Sequence, residues 1–187
     1  MPVPRPVRRP PNRPGEPNQG AVLLLLYCKK GDVYLVLTRR RDDLQSHAGQ
    51  VSLPGGRREH RETLQEAALR ETYEEVGVPP SRITILGRLT PLYIAPSDFE
   101  VHPFVGWHEP APVFVPQDSE VAELLEVPVA LFLRDESRDQ ELWEWRDILL
   151  EVPFYRIDEH KVWGATAMML SEFAERLRLQ NGEFTGT

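Results

Sequence analysis

Three glutamates, Glu71, Glu74 and Glu75, stand in the short run RETYEEVG, directly behind a glycine-containing loop, VSLPGG. On a helical wheel of about 100° per residue, Glu71 and Glu75 share the sector of Leu64, Ala67 and Ala68, and Glu74 lies beside them. Glu66 and Tyr73 fall on the opposite side. A face meant only for water would put the carboxylates where Glu66 and Tyr73 are. Like charges three or four residues apart destabilise a helix by about 0.2–0.5 kcal/mol per pair when exposed, and by more when partly buried. Something positive must compensate. Arg70 adjoins the group but lies on another part of the wheel, where it can steady one glutamate without neutralising three. A divalent cation bound by hard carboxylate oxygens is the simplest compensator, and oxygen-only ligation suits Mg²⁺ or Mn²⁺. The competing reading is a plain charged helix end in water. The inward wheel position and the glycine loop argue against it.

The elements that must hold these side chains follow from apolar period and turn residues. Residues 62–76 read as a helix stopped by Gly77 and the Pro79-Pro80 pair. Residues 21–28 and 33–38 read as strands joined by the turn KKGD, and 83–94 and 99–107 as further strands separated by APSD. A second helix is expected over 119–133, capped by Asp118 or Ser119. Residues 147–157 and 160–164 look like strands, and 165–179 like a closing helix. The sum is an α+β fold, an α/β/α sandwich whose mixed β-sheet is covered by helices on both faces.

The chain has 187 residues, and 41% apolar with 27% charged residues is the mixture of one ordinary globular domain. The first 20 residues hold seven prolines and four arginines without apolar period, so residues 1–19 are expected to be a flexible arm and 20–187 the domain. A net charge of −7 argues against non-specific binding to nucleic acid or to an anionic membrane, so the expected partner is a small molecule. No segment is long enough to cross a membrane. The single cysteine, Cys28, allows no internal disulfide and fits a reducing, cytoplasmic compartment; it reads as a core residue at a strand end.

The spacing of Gly56, Glu62, Arg70-Glu71, Glu74-Glu75 and Gly77-Val78 resembles the Nudix box, the signature of hydrolases that cleave a nucleoside diphosphate linked to another group. Every fixed charged and glycine position matches over residues 56–78, and Thr72 stands where the family prefers a bulky aliphatic residue. The resemblance implies a strand-loop-helix unit inside a Nudix-type α/β/α sandwich. Glu74 and Glu75 match the main metal-binding pair, and Glu71 matches a metal ligand or general base. Arg70 would orient a glutamate, Gly56 would let the loop pass close to the metal and offer its carbonyl, and Glu62 matches the acidic position at the helix start. Glu120 and Glu123 are further candidates for the base, because many Nudix enzymes bring a glutamate from outside the box. A homodimer is a family-level expectation.

Upstream, LTRRRDDLQSHAGQVSLPGG at residues 37–56 resembles the extended motif of the coenzyme A pyrophosphatase branch. Thr38, Arg40, Leu44, His47, Gly49, Gln50, Val51, Pro54, Gly55 and Gly56 match, while Arg41, Gln45 and Leu53 depart from it. KVWGATAMML at 161–170 is similar to the closing segment of that branch. The resemblance implies a coenzyme A-like nucleotide substrate cleaved to 3′,5′-ADP and 4′-phosphopantetheine, with Arg39, Arg40, His47 and Gly55 as substrate-binding candidates. A Nudix hydrolase of ADP-ribose or of a nucleoside triphosphate is the alternative, and a non-catalytic nucleotide sensor is a third.

Overall fold

The computed structural model describes residues 9–11, 13–43, 48–145 and 148–180. Strand β1 (Asn18–Lys29) is its axis, because the run GAVLLLLY is apolar on both faces and is covered on both. It pairs antiparallel with β2 (Asp32–Arg40) across the Lys30-Gly31 turn, where both residues have positive φ. The short strands β3 (Val51–Ser52) and β4 (Gly55–Arg57) pair antiparallel with β2 and β1. After helix α1 (Leu64–Val76) come β5 (Ile83–Arg88), β6 (Leu92–Ile94) and β7 (Phe99–His108). Strand β7 runs parallel to β1 and makes the sheet mixed. Strand β8 (Val121–Pro128) closes the far side against β2. A second, antiparallel sheet contains β9 (Arg138–Trp145), β10 (Ile148–Ile157) and β11 (His160–Trp163), followed by α2 (Gly164–Gln180).

Alternate residues of β1 supply two cores. Ala21, Leu23, Leu25 and Tyr27 meet Ala67, Ala68 and Val76 of α1. Leu24 and Leu26 meet Leu170, Phe173 and Ala174 of α2 together with Tyr155 and Val162 of the second sheet. The mixed sheet therefore lies between α1 on one face and α2 with the second sheet on the other, the α+β sandwich expected. Among the described residues no helix is long and apolar enough to cross a membrane.

Three expectations are corrected, and one strand is added. Residues 119–133 form β8 and a 3₁₀ turn (Val129–Leu133) rather than a helix. Val121, Leu125 and Val127 are buried at every second or fourth position, and Pro128 offers no N–H for a continuing helix. The stretch 83–94 is two strands, interrupted before Pro91, where the Thr90 amide donates to Glu172 instead of to a strand. Strand β9 lies in a stretch not recognised as a strand. Cys28 sits near the end of β1 but is exposed, because β1 and β2 run past the helix cover there; its partner Val33 is exposed too. Ahead of β1, Arg9 and Arg13 both hold Asp98, in the turn between β6 and β7.

Candidate active site

Helix α1 starts where the sequence can satisfy its free amides. Thr63 caps it, accepting the Glu66 amide through Oγ1 at 3.2 Å, while Glu66 accepts the Thr63 amide at 2.7 Å. The T-x-x-E spacing of this pair is a capping signature present in the sequence. Gly77 ends the helix in the left-handed region and donates to the Tyr73 carbonyl at 2.9 Å. Ala67, Ala68, Thr72 and Val76 pack on the sheet, and Glu75 goes in with them, only 5% exposed. Thr72 is fully buried and places its hydroxyl on the Ala68 carbonyl at 2.7 Å, so the departure from an aliphatic residue leaves no unpaired polar group.

The glycine loop lies directly over this helix. Gly55 has φ 151°, and a Cβ there would come within 2.3 Å of the Ala21 carbonyl oxygen. Its amide donates to Oε2 of Glu75 at 3.3 Å. A Cβ on Gly56 would lie 2.4 Å from the Glu71 carboxyl carbon, so any larger residue would displace this carboxylate. The Gly56 carbonyl lies beside Gly20 of β1.

Arg70 does more than steady one glutamate. Its guanidinium donates to both oxygens of Glu62, at 2.8 and 3.0 Å, to Oε1 of Glu71 at 3.0 Å and to Oε2 of Glu74 at 2.9 Å. It also reaches the Arg57 carbonyl at 3.1 Å. The wheel position of its Cα conceals this reach, because a long side chain with a planar fork can serve several acceptors at once. No contact between Arg70 and Glu75 is among these bonds.

Burial raises the Glu75 carboxyl to about 8, and the charges of Glu71 and Glu120 add to it against the Gly55 amide and Arg40. Burial also raises Glu71, with Arg70 opposing and Glu74 and Glu120 reinforcing. Glu62 is held below the usual carboxylate range by its hydrogen bonds from Arg70. The site thus carries negative charge that the protein leaves incompletely neutralised.

Glu120 reaches the helix through a strap. The amides of Val115 and Gln117 donate to the carbonyls of Val76 and Glu75, at 2.9 and 3.0 Å, and the turn at Gln117–Glu120 then brings the exposed Glu120 into the field of Glu71 and Glu75. No sequence period announced this strap. Glu123 goes elsewhere. It lies on β8 opposite Arg39 of β2, and its Oε2 is 3.3 Å from Arg39 Nε and 3.2 Å from His160 Nε2. Leu37, two residues before Arg39, and Leu125, two after Glu123, belong to the core on the α2 side, so this pair is separated by the sheet from the box carboxylates. Glu123, Glu159 and His160 bring one ligand atom each within 4.8 Å of one another, but Arg39 already pairs with Glu123 there. Arg40, one residue on, takes the other face. Its charge lowers Glu75, and its Nε is buried without a hydrogen-bond partner among the described residues. His47 lies outside the described residues.

By its chemistry the donor set suits a divalent cation. Arg70 takes one oxygen each of Glu71 and Glu74, and Gly55 takes one of Glu75, which leaves Oε2 of Glu71 and Oε1 of Glu74 and Glu75 outside these bonds. All are hard oxygen donors.

A NUDIX domain model matches residues 17–147, which contain the whole of this arrangement. The chain belongs to the Nudix family. It is 34% identical over 171 residues to the uncharacterized Nudix hydrolase NudL of Photorhabdus laumondii, covering 91% of each chain. With NudL of Pectobacterium atrosepticum it shares 38% over 162 residues, covering 83% of this chain and 81% of the relative. The crystal structure of the Nudix hydrolase RenU from M. smegmatis superposes with a TM-score of 0.58 at 18% identity, over 92% of this chain and 91% of the other, and carries the fold alone. As a Nudix hydrolase the protein acts on phosphorus anhydrides of nucleoside diphosphate derivatives, in a family that uses divalent metal ions, typically Mg²⁺ or Mn²⁺.

Proposed function

We propose that this Nudix hydrolase cleaves the diphosphate of coenzyme A or acyl-CoA to 3′,5′-ADP and (acyl-)4′-phosphopantetheine, in the cytoplasm and with Mg²⁺ or Mn²⁺. The observation that carries the reading is the motif of residues 37–56: its fixed arginine, Arg40, is felt by Glu75, and its closing Gly55 donates to the same carboxylate. Arg40 and Gly55 of the stretch that resembles the coenzyme A branch thus adjoin the carboxylate site.

Glu71, Glu74 and Glu75 would hold the metal in this reading, and the bound ion would supply neutralisation of the diphosphate charge and a more acidic water. Arg70, anchored on Glu62, fixes Glu71 and Glu74, and Arg40 offers its positive charge to a diphosphate oxygen. Glu120 is the base. It takes a proton from the water that attacks one phosphorus, while the bridging oxygen leaves with the other phosphate. Glu120 suits the role better than Glu71, whose Oε1 is engaged by Arg70, and better than Glu123 on the opposite face of the sheet.

The test is product identification. Coenzyme A incubated with the enzyme and Mg²⁺ or Mn²⁺ should yield equimolar 3′,5′-ADP and 4′-phosphopantetheine by chromatography. Release of inorganic phosphate alone would refute the reading.

A further inference from the structure

The three consecutive arginines of the upstream stretch are directed to other groups. Arg39 pairs with Asp42 and Glu123. Arg41 donates twice to Asp43 and once to the Asp118 carbonyl. Arg40 is drawn to Glu75 at the carboxylates. A substrate with a phosphate beyond its diphosphate needs another cation near the box.

Two stand immediately after Gly56. Arg57 and Arg58 form one wall of a polar cleft of about 290 Å³, and residues Glu16 to Gln19 form the other. The Arg58 amide donates to the Gln19 carbonyl at 2.9 Å, and Arg57 donates to Asn18 Oδ1 at 3.1 Å. That Asn18 contact is neutral, so the charge of Arg57 stays uncompensated by it. No carboxylate is bonded to either guanidinium among the described residues. The cleft adjoins the catalytic box: the Arg57 carbonyl receives Arg70, and the charge of Arg58 reaches Glu62. Its outer wall is anchored. Arg9 grips both oxygens of Asp98, at 3.0 and 3.2 Å, and donates to the carbonyls of Arg13, Pro14 and Gly15. Arg13 donates to Tyr93 Oη and the Ala95 carbonyl. The segment that leads into Glu16 is therefore held against the domain.

We infer that this cleft binds a phosphate monoester on the nucleoside part of the substrate, outside the diphosphate that is cleaved, with Arg58 and Arg57 as its cationic contacts. The inference rests on the coenzyme A reading, since ADP-ribose carries no such group. Glu16 sets a sign test. Its carboxylate faces the same cleft and opposes an anion, so removing its charge strengthens the binding that removing Arg58 weakens.

Calorimetric titration of the Mg²⁺-loaded full chain with 3′,5′-ADP and with 5′-AMP reads the cleft directly. The wild type should bind the bisphosphate about tenfold more tightly, the gain of one charge-assisted contact at an exposed site. Arg58→Ala should erase most of that preference and leave 5′-AMP unchanged, and Glu16→Gln should widen it. Both residues are exposed, and an unchanged melting temperature verifies the fold. Equal weakening of both ligands by Arg58→Ala, or no preference in the wild type, overturns the inference even if coenzyme A is hydrolysed. Failure to hydrolyse coenzyme A, with the preference and its loss intact, overturns the substrate reading and leaves the cleft standing.

Discussion

Glu75 places one carboxylate oxygen on the Gly55 amide at 3.3 Å, inside the layer between α1 and the sheet, and so ties the metal-site helix to the last glycines of the substrate motif. Glu75→Gln preserves size and can still accept that amide, but it removes the charge. Turnover should fall at least about a hundredfold, ~2.7 kcal/mol of transition-state stabilisation, with an unchanged circular dichroism spectrum. Activity close to wild type would remove Glu75 from the site.

The same burial predicts a pH effect on the metal-free protein. The carboxyl of Glu75 is raised from the ordinary value of 4.5 to about 8, so the folded chain binds this proton more tightly than the unfolded chain does. Its contribution to stability is fully present below about pH 4.5 and is lost as pH rises through about 8. With a chelator present, the melting temperature of the wild type should fall relative to that of Glu75→Gln across that window. Parallel curves for the two proteins would contradict the burial of a carboxylate there.

Glu120 and Glu123 lie three residues apart but on different sides of the sheet, and mutation should separate them. Glu120→Gln should lower kcat by about 10² or more and remove the acidic limb of the pH–rate profile. Glu123→Gln should leave kcat within about threefold of wild type and cost up to about 1 kcal/mol of stability, since its partner Arg39 and its own carboxylate are partly exposed. The opposite ranking would transfer the base to Glu123.

Asp98 takes four hydrogen-bonding and ionic contacts from Arg9, Arg13 and Tyr93, and its carboxyl is held near 2 chiefly by the Arg9 hydrogen bonds. Asp98→Ala should free the segment before β1, and the backbone amides of Arg13, Gly15 and Glu16 should then exchange with solvent about tenfold faster, read by hydrogen-exchange mass spectrometry. Unchanged exchange would show that the segment is held by other contacts.

The box helix was legible because one stretch obeys one period. Ala67, Ala68 and Glu75 share a face, Gly77 stops the helix, and the structure agrees at each. Strand β8 misled for a related reason: Val121, Leu124 and Leu125 satisfy helical spacing, and a strand packed on both faces shows no clean alternation. Strand β9 hid behind its charges, since Asp139 pairs with Arg156 of β10 and Glu141 with Lys161 of β11 rather than with a core. A strand period of two was enough to part Arg39 from Arg40, but only the position of α1 decides which of them meets Glu75. The fork of Arg70 over three carboxylates depends on side-chain reach, which a wheel does not contain.

The most direct measurement is kcat/KM for coenzyme A against ADP-ribose with the same enzyme, metal and pH. Both carry a nucleoside diphosphate, and they differ in what the stretch 37–56 and the Arg57–Arg58 cleft are proposed to recognise. Coenzyme A should be favoured by about tenfold or more, with 3′,5′-ADP as one product. Faster cleavage of ADP-ribose would contradict the assignment of this Nudix hydrolase to coenzyme A.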